Sequence, residues 1–138
     1  MPVIGVSFKS FEAKTEDKKV NGNVNVNSSP RITNMERKDV GFGVKDAIAA
    51  EFVFETKYEP DVGSIVIKGD VIYQTDKADK ILQRWKKDKK VEDEAAVEIL
   101  NAIFRKSLTA AINFSNELRL PPPIQFPVVQ PKSPSQGT

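Results

Sequence analysis

The chain contains neither cysteine nor histidine among its 138 residues. The missing cysteine excludes disulfides and thiol chemistry. Without either residue, the chain alone cannot supply a zinc, haem or iron–sulfur site, a Cys–His pair or a Ser–His–Asp triad. The sequence also lacks a glycine-rich phosphate loop, an EF-hand loop and a paired-carboxylate signature. We therefore predict that the protein is not an enzyme and binds no metal or cofactor.

Long apolar runs and a strong charge of one sign are also missing. No run approaches the roughly 18 residues of a membrane-spanning helix, and the N-terminus lacks the basic start and apolar core of a signal peptide. The net charge is +2, which gives no reason to expect nucleic acid or a membrane as partner. With 39% hydrophobic and 29% charged residues, we expect a soluble cytoplasmic protein, with one domain over residues 1–129 and no membrane insertion.

Alternating apolar and polar residues predict four β-strands. In the first, over residues 3–14, Val6 and Phe8 alternate with polar neighbours, whereas Phe11 falls out of phase. This shift predicts a bulge or bend near Ser10.

The second strand is predicted over residues 23–34, after a turn at residues 18–22. Its asparagines form a face that must be in contact with water, which indicates a one-sided antiparallel sheet and not a buried parallel one. Residues 35–46, with two glycines around Phe42, are predicted to form a loop. Phe42 has two interpretations: an apolar contact that moves with the loop, or a side chain that covers the edge of the core.

The third and fourth strands are the clearest in the chain and form a predicted hairpin. The apolar face of the third strand carries Ile48, Ala50, Phe52, Phe54, Thr56 and Tyr58. The fourth strand, over residues 64–75, presents on its apolar face Ile65, Ile67, Gly69, Val71 and Tyr73. Between them, residues 59–63 form a predicted turn. Pro60 fixes the backbone angle φ, and Gly63 gives the backbone conformational freedom where the turn ends.

A short charged helix is predicted over residues 77–87, with Ile81, Leu82 and Trp85 as a narrow apolar patch. From residue 77 to residue 90 there are two acidic residues and seven basic ones, which are Lys77, Lys80, Arg84, Lys86, Lys87, Lys89 and Lys90. One interpretation is an RNA- or ribosome-associated surface in which Trp85 stacks on a base and phosphates are bound by Lys86, Lys87, Lys89 and Lys90. The other is a solvated helix with Trp85 packed on the domain.

A long helix is predicted over residues 91–118, because apolar residues recur there at steps of three and four. The predicted stripe consists of Ala96, Leu100, Ile103, Phe104, Leu108, Ala111, Ile112, Ser115 and Leu118. At ~1.5 Å per residue the helix would be about 42 Å long, so we expect it to overhang its domain or pack against a partner. Prolines at residues 121–123 end the helix and favour an extended segment. Residues 130–138 are expected to form a disordered tail.

The order of these elements predicts an α+β fold: a four-stranded antiparallel sheet, a short charged helix, one long helix and a proline-rich extended C-terminal segment. Two stretches carry a resemblance to the SecB export-chaperone family. FRKSLTAAINFSNELRLPPPIQF, at residues 104–126, looks like that family's long helix and the strap after it. IVIKGDVIYQ, at residues 65–74, is similar to its valine-rich strand, in which a glycine precedes an aromatic residue. Together the similarity spans about residues 3–128.

The resemblance implies an ATP-independent chaperone, a holdase, that binds unfolded or nascent polypeptides in hydrophobic grooves of a homo-oligomer, either a dimer or a tetramer. The implied groove residues are Phe104, Phe114, Leu118, Leu120, Ile124 and Phe126, with Tyr73 and Trp85 at the margins. The alternative is that these side chains close the protein's own core. We expect this of Phe104 and Leu118, whereas Phe114, at the edge of the helical stripe, is expected to be more exposed.

The chain also departs from that family. SecB proteins are typically acidic, and an acidic sheet surface contacts the translocase motor. Here the corresponding residues Ser64, Ile65, Val66, Ile67 and Lys68 include no carboxylate, and the net charge is positive. The connection before the long helix is lysine-rich, whereas the family's is glycine-rich. Docking to a translocase motor is therefore not expected.

Overall fold

The structure, a computed structural model, describes residues 3–16, 24–39, 41 and 46–124. Within these residues it contains, in chain order, β1 (Val3–Thr15), β2 (Asn25–Lys38), β3 (Ala47–Glu59), β4 (Gly63–Gln74), α1 (Ala78–Asp88) and α2 (Asp93–Glu117). The strands form one antiparallel sheet in the order β1-β4-β3-β2, so β1 and β2 are its edges. The predicted α+β class is thereby confirmed. Outside the described residues lie the predicted turn at 18–22, Phe42, Phe126 and the predicted tail at 130–138.

The core lies on one face of the two central strands, which we call the front face. The predicted apolar face of β3, from Ile48 to Tyr58, is buried along its whole length. Its partner strand β4 places Gly69 directly opposite Phe52. Because a Cβ at residue 69 would lie 3.0 Å from Phe52 Cζ, the missing side chain provides the room that this ring occupies.

The edge strand β1 contains the predicted bulge. Its register against β4 shifts between Phe8 and Ser10. Because of this extra residue, Phe8 and Phe11 lie together, with ring centroids 5.1 Å apart, and Phe8 contacts Phe52 of the core at 6.4 Å. The bulge is therefore the reason why Phe11 breaks the alternation.

The other edge strand, β2, is longer than predicted, which corrects the loop that the sequence indicates over residues 35–46. The strand continues to Lys38, and Met35 is a buried member of the core. A register shift between Ile32 and Asn34 adds one residue to the strand. Met35 therefore faces the core although it is an odd number of residues away from Ile32.

The turn between β3 and β4 lies at residues 59–63, as predicted, but Gly63 has a different role. The residue with left-handed backbone is Asp61, with φ of 47°. Gly63 is required for space, since a Cβ there would lie 2.6 Å from the carbonyl oxygen of Lys14 and 3.1 Å from Leu120 Cδ1. Glycine is therefore required at residue 63 because Lys14 and Leu120 pack closely against it, and not because of its conformational freedom.

α2 covers the front face, and one row of residues at four-residue steps faces the sheet. This sheet-facing row is buried throughout and consists of Ala95, Ile99, Ile103, Ser107, Ala111 and Ser115. Successive residues of an α-helix point about 100° apart, so the residues one position later and one position earlier lie on the two flanks of α2. The predicted stripe mixes three rows: Ile103, Ala111 and Ser115 belong to the sheet-facing one, Leu118 lies on one flank, and the other five residues lie on the opposite flank. The buried face is therefore displaced from the centre of the predicted stripe.

α2 ends at Glu117, and its last turn is capped before the prolines begin. Arg119 has left-handed backbone, with φ of 56°. The Leu120 N–H donates to the Ser115 carbonyl at 2.8 Å, and the Arg119 N–H donates to the Asn116 carbonyl at 3.2 Å. These two bonds form a Schellman motif. The helix thus stops through its own cap, and the chain leaves it in a fixed direction.

The Tyr58 hydroxyl fixes the segment that follows, residues 120–124, which we call the strap. It donates a hydrogen bond of 2.7 Å to the carbonyl oxygen of Pro121. Burial raises the pKa of Tyr58 above its ordinary value of 10.0. Folding therefore favours the neutral phenol, and this contribution to stability is complete below pH 10 and is lost as the pH rises through the raised pKa.

We expect Tyr58→Phe to lower the free energy of unfolding by about 1 kcal/mol at neutral pH, because the Pro121 carbonyl loses its partner. Urea unfolding measures this loss. Limited proteolysis should cut the strap faster in Tyr58→Phe than in Tyr73→Phe, which removes a hydroxyl from a tyrosine outside the strap contact. Equal cutting of the two variants would mean that this hydrogen bond does not hold the strap.

Candidate functional site

Two clefts flank α2, because one helix cannot cover a four-stranded sheet. A helix with its side chains is about 10–12 Å wide. The axes of four strands at about 4.8 Å spacing span about 14 Å, and the side chains of the edge strands extend further. The edge strands therefore remain partly uncovered on the front face. We call the two partly uncovered strips beside α2 the β2-side cleft and the β1-side cleft.

The β2-side cleft lies between one flank of α2 and the front face of β2. The flank row consists of Ala96, Leu100, Phe104, Leu108 and Ile112, all partly exposed. The ring of Phe104 contacts the ring of Phe54 in β3 edge-on, with centroids 5.6 Å apart, which places this row on the β2 side of the helix. The partly exposed residues of β2 that pair with buried front-face residues of β3 are Val26, Ser28, Pro30 and Ile32. None of these side chains is charged.

The β1-side cleft has a different character. Its helical flank consists of Glu98, Ala102, Lys106, Ala110, Phe114 and Leu118. Phe114 contacts Phe11 of β1, with ring centroids 5.1 Å apart. Two depressions of about 430 Å³ and 480 Å³ lie along this side, and both are lined by Arg105 and Lys106. Charged side chains therefore border the β1-side cleft between residues 98 and 106 of α2.

The predicted groove residues do not form one surface. Phe104 lies in the β2-side cleft, whereas Phe114 and Leu118 lie on the opposite flank of α2. The expected order of exposure is also reversed: Phe104 is 37% exposed, while Phe114 is partly buried against Phe11. Ile124 is half-buried in the strap. Phe104 is therefore the predicted residue that a ligand reaches most directly.

Three of the predicted residues are buried in the core: Leu120, Tyr73 and Trp85. Burial is the main cause that raises the pKa of Tyr73, and the hydrogen bond with Glu98 is the second. The phenol of Tyr73 therefore stays neutral far into the alkaline range. These side chains support the walls of the clefts and are not themselves on the surface. For them the alternative interpretation, a contribution to the protein's own core, describes the structure.

Trp85 does not provide a surface for stacking a base. It is 8% exposed, and the Lys89 ammonium lies 5.4 Å from its ring centroid. The neighbouring Lys86, Lys87 and Lys90 are exposed. α1 is thus a solvated helix with a packed tryptophan, and among the residues that the structure describes this covered ring is the aromatic partner of its cations.

A cavity of about 400 Å³ lies where β4 ends and both helices begin, lined among others by Tyr73, Lys77, Glu92, Glu94 and Glu98. Lys77 and Glu92 form an ion pair at 3.7 Å. No group of three or more metal-ligating side chains occurs in the described part of the chain. Neither described helix is long and apolar enough to cross a membrane.

The apolar pattern of the sequence does not reveal that Leu100, Leu108 and Ile112 lie beside the buried face and not within it. Large side chains dominate an apolar pattern, and on α2 they lie on the flank, whereas the sheet-facing row is largely small. The polar residues carry the missing signal: one row, on the side opposite the sheet, contains Asn101, Arg105, Thr109 and Asn113. The row on the opposite side of the helix from these polar residues is the one that faces the sheet.

No protein-family model matches the chain, and no curated protein matches it. Among solved structures, its fold is similar to that of the SecB-like chaperone Rv1957 of Mycobacterium tuberculosis, in complex with a ChAD peptide from the Rv1956 HigA1 antitoxin. The TM-score is 0.57 at 10% sequence identity, and the match covers 94% of this chain and 91% of that chain. The chain therefore has a SecB-like fold.

Proposed function

We propose that the protein is an ATP-independent chaperone, a holdase, that binds unfolded or nascent polypeptides in the β2-side cleft and catalyses no reaction. The observation that carries the proposal is the uncharged, partly exposed row on α2 from Ala96 to Ile112, which faces apolar side chains of β2. Contiguous apolar surface of this kind on a folded protein is typical of sites that bind other polypeptides.

Apolar burial suits a ligand whose sequence varies. The hydrophobic effect contributes about 25 cal/mol per Å² of buried apolar surface and does not depend on direction, so different leucine-, valine- or phenylalanine-containing segments fit the same cleft. Binding and release then follow the folding of the client and need no nucleotide. The antitoxin peptide bound by the structurally similar SecB-like chaperone supports a polypeptide as the ligand class.

We also propose that the protein forms a homo-oligomer, a dimer or a tetramer, through β1. This 13-residue strand is an edge of the sheet, so its outer backbone groups have no strand partner among the described residues. Its side chains Ile4 and Phe11 are each 46% exposed. Such an edge favours pairing with another chain. A chain that stays monomeric on sizing chromatography at all concentrations would contradict this part of the proposal and leave the cleft untouched.

Docking to a translocase motor is not part of the proposal. The stretch from Ser64 to Lys68 in β4 contains no carboxylate, and the chain has a net charge of +2. A general holdase for cellular polypeptides agrees better with this charge than a dedicated export factor that needs an acidic docking surface.

The proposal predicts that Phe104→Ser combined with Leu108→Ser weakens client binding by about tenfold or more. Each change removes part of an apolar contact worth about 1.5–3 kcal/mol when fully buried, and about 1.4 kcal/mol corresponds to tenfold in affinity. The measurement is the concentration of protein that suppresses aggregation of a chemically denatured model protein by half. Binding of a labelled apolar peptide, followed by fluorescence anisotropy, gives the same comparison at equilibrium.

Val97→Ser is the matched control for these changes. Val97 is also an apolar residue of α2 but lies on its outer face, where it is 58% exposed. This variant should suppress aggregation like the parent protein, and circular dichroism should show that both variants keep their fold. A folded double variant with the parent's activity would exclude the β2-side cleft as the site, and a parent protein that binds no client would exclude the holdase.

A further inference from the structure

α1 and the turn after it carry more positive charge than their acidic residues neutralise. Asp79 is paired with Arg37 of β2, and the Asp88 carboxylate accepts the backbone N–H of Lys90 at 3.1 Å. No carboxylate in residues 3–16, 24–39, 41 or 46–124 forms an ion pair with six exposed side chains, which are Lys80, Arg84, Lys86, Lys87, Lys89 and Lys90. We call these six the α1 cations.

The α1 cations lie on the same side of α2 as the β2-side cleft. α1 contacts β2, and a depression of about 340 Å³ between them is lined by residues that include Met35, Leu82, Trp85 and Lys86. Only residues 89–92 connect α1 with α2. Ile81 of α1 and Ala95 of α2 line the same cavity, so α1 lies near Ala96, where the apolar row of the cleft begins.

The cleft and its α1 end differ sharply in charge. The cleft side chains are uncharged, whereas a bound chain that leaves the cleft towards α1 meets an excess of cations. The carboxylates near this end are Glu36, Asp79, Asp88, Glu92, Asp93 and Glu94. Of these, Asp93 lies in the outer row of α2 with Val97, and Glu94 lies in the β1-side row with Glu98. Asp79 is already paired with Arg37, and Glu92 with Lys77. A carboxylate on the bound chain gains charge-assisted contacts here, and a lysine is repelled.

We propose that the α1 cations select which polypeptide segments occupy the β2-side cleft, and that they favour segments in which aspartate or glutamate adjoins an apolar stretch. This inference rests on the proposed function, because it names the class of polypeptide that the same cleft takes. The apolar contacts supply most of the affinity. The cations determine which apolar segments bind most tightly and associate fastest.

The same cations suggest RNA as a competing ligand, and the structure favours the acidic polypeptide. Sequence-tolerant binding of single strands combines cations with exposed aromatic rings on which bases stack. Here the ring among the cations, Trp85, is 8% exposed and packed in the core. The β2-side cleft, which adjoins the α1 cations, is apolar. It therefore suits a polypeptide with apolar side chains and not a sugar–phosphate backbone.

The test compares three labelled peptides with the same leucine- and phenylalanine-containing centre, flanked on both sides by glutamate, serine or lysine. Fluorescence anisotropy with the full chain should give the lowest Kd for the glutamate-flanked peptide and the highest for the lysine-flanked one. We expect about tenfold between these two at low salt, and a smaller ratio at 0.5 M salt because exposed charges are screened. A single-stranded RNA of mixed sequence is measured beside them.

Two triple variants assign the effect to α1. Lys86→Gln, Lys87→Gln and Lys90→Gln together should reduce the preference for glutamate over lysine flanks to about twofold, with the Kd of the serine-flanked peptide unchanged. The control removes three exposed cations from β1, β3 and β4, by Lys14→Gln, Lys57→Gln and Lys68→Gln. This control lowers the net charge equally and should keep the parent's preference.

The outcomes separate this inference from the proposed function. Equal binding of all three peptides overturns the selection by charge and leaves the holdase in place. Failure of all three to bind overturns both. RNA binding that the α1 triple variant abolishes, with no difference among the peptides, overturns the inference in favour of nucleic acid. Loss of the preference in the control variant as well as in the α1 variant assigns it to net charge and equally overturns the inference.

Discussion

Gly69→Ala is expected to lower the free energy of unfolding by about 3 kcal/mol, near the upper end of what overpacked sites cost. A Cβ at residue 69 would lie 2.1 Å from the Ser7 carbonyl oxygen, and 3.0 Å from both Phe8 Cα and Phe52 Cζ. The first two atoms belong to the backbone of β1, which cannot rotate away as a side chain does. β1 must therefore separate from β4 next to its bulge, and the edge pairing is weakened there.

Gly5→Ala is the matched control, because Gly5 also lies in the pairing of β1 with β4, opposite Ile72. Nothing lies within 4 Å of a Cβ built at that position. We expect this variant to be neutral or more stable by less than about 1 kcal/mol, since alanine restricts the unfolded chain. Urea unfolding measures both. Equal stabilities of the two variants would mean that β1 does not approach β4 at residue 69 as described.

Ile103→Ala is expected to lower the free energy of unfolding by about 3 kcal/mol, within the range for buried isoleucine truncated to alanine. Ile103 is fully buried in the middle of the sheet-facing row of α2. The substitution leaves a cavity between the helix and the sheet, because the strands beneath are paired on both sides and cannot collapse into it. Thermal or urea unfolding of the purified variant gives the loss directly.

Two further substitutions on α2 make this a test of how the helix is oriented. Val97→Ala, on the outer face, should change stability by no more than about 0.5 kcal/mol. Leu108→Ala, in the β2-side cleft, should cost clearly less than Ile103→Ala, because its side chain is only partly buried. A larger loss for Leu108→Ala than for Ile103→Ala would mean that α2 faces the sheet with its flank row, as the apolar stripe of the sequence predicts.

The sheet could be predicted from the sequence because strand alternation there agrees with burial. β3 buries every second residue from Ile48 to Tyr58, and on the opposite face of this stretch it buries only Ala49 and Val53. The out-of-phase Phe11 indicates the bulge that the register of β1 contains. In these strands local pattern and tertiary packing point to the same answer, so the pattern was sufficient. The spans of both helices also follow from their sequence patterns, although the buried face of α2 does not.

The candidate site could be predicted only in part, because a binding cleft requires apolar residues where the fold alone does not. Phe104 and Leu108 are apolar but not fully buried, and their presence moved the predicted stripe away from Ile99 and Ser107. In β2, the register shift before Met35 has no counterpart in the alternation of the sequence. Such disagreements between local pattern and packing are expected at functional and irregular positions.

The anchoring of α2 at both ends determines how its clefts respond to a ligand. The Schellman cap and the bond from Tyr58 to Pro121 hold the C-terminal end. The ion pair between Lys77 and Glu92 and the short connection at residues 89–92 hold the N-terminal end. The walls of the β2-side cleft are therefore preorganised, and little of the entropy lost on association comes from the protein. Under the proposed function, the client would make the adjustment: an unfolded chain would be ordered on binding in an extended conformation, and a chain that has folded and buried its apolar residues would no longer be a ligand.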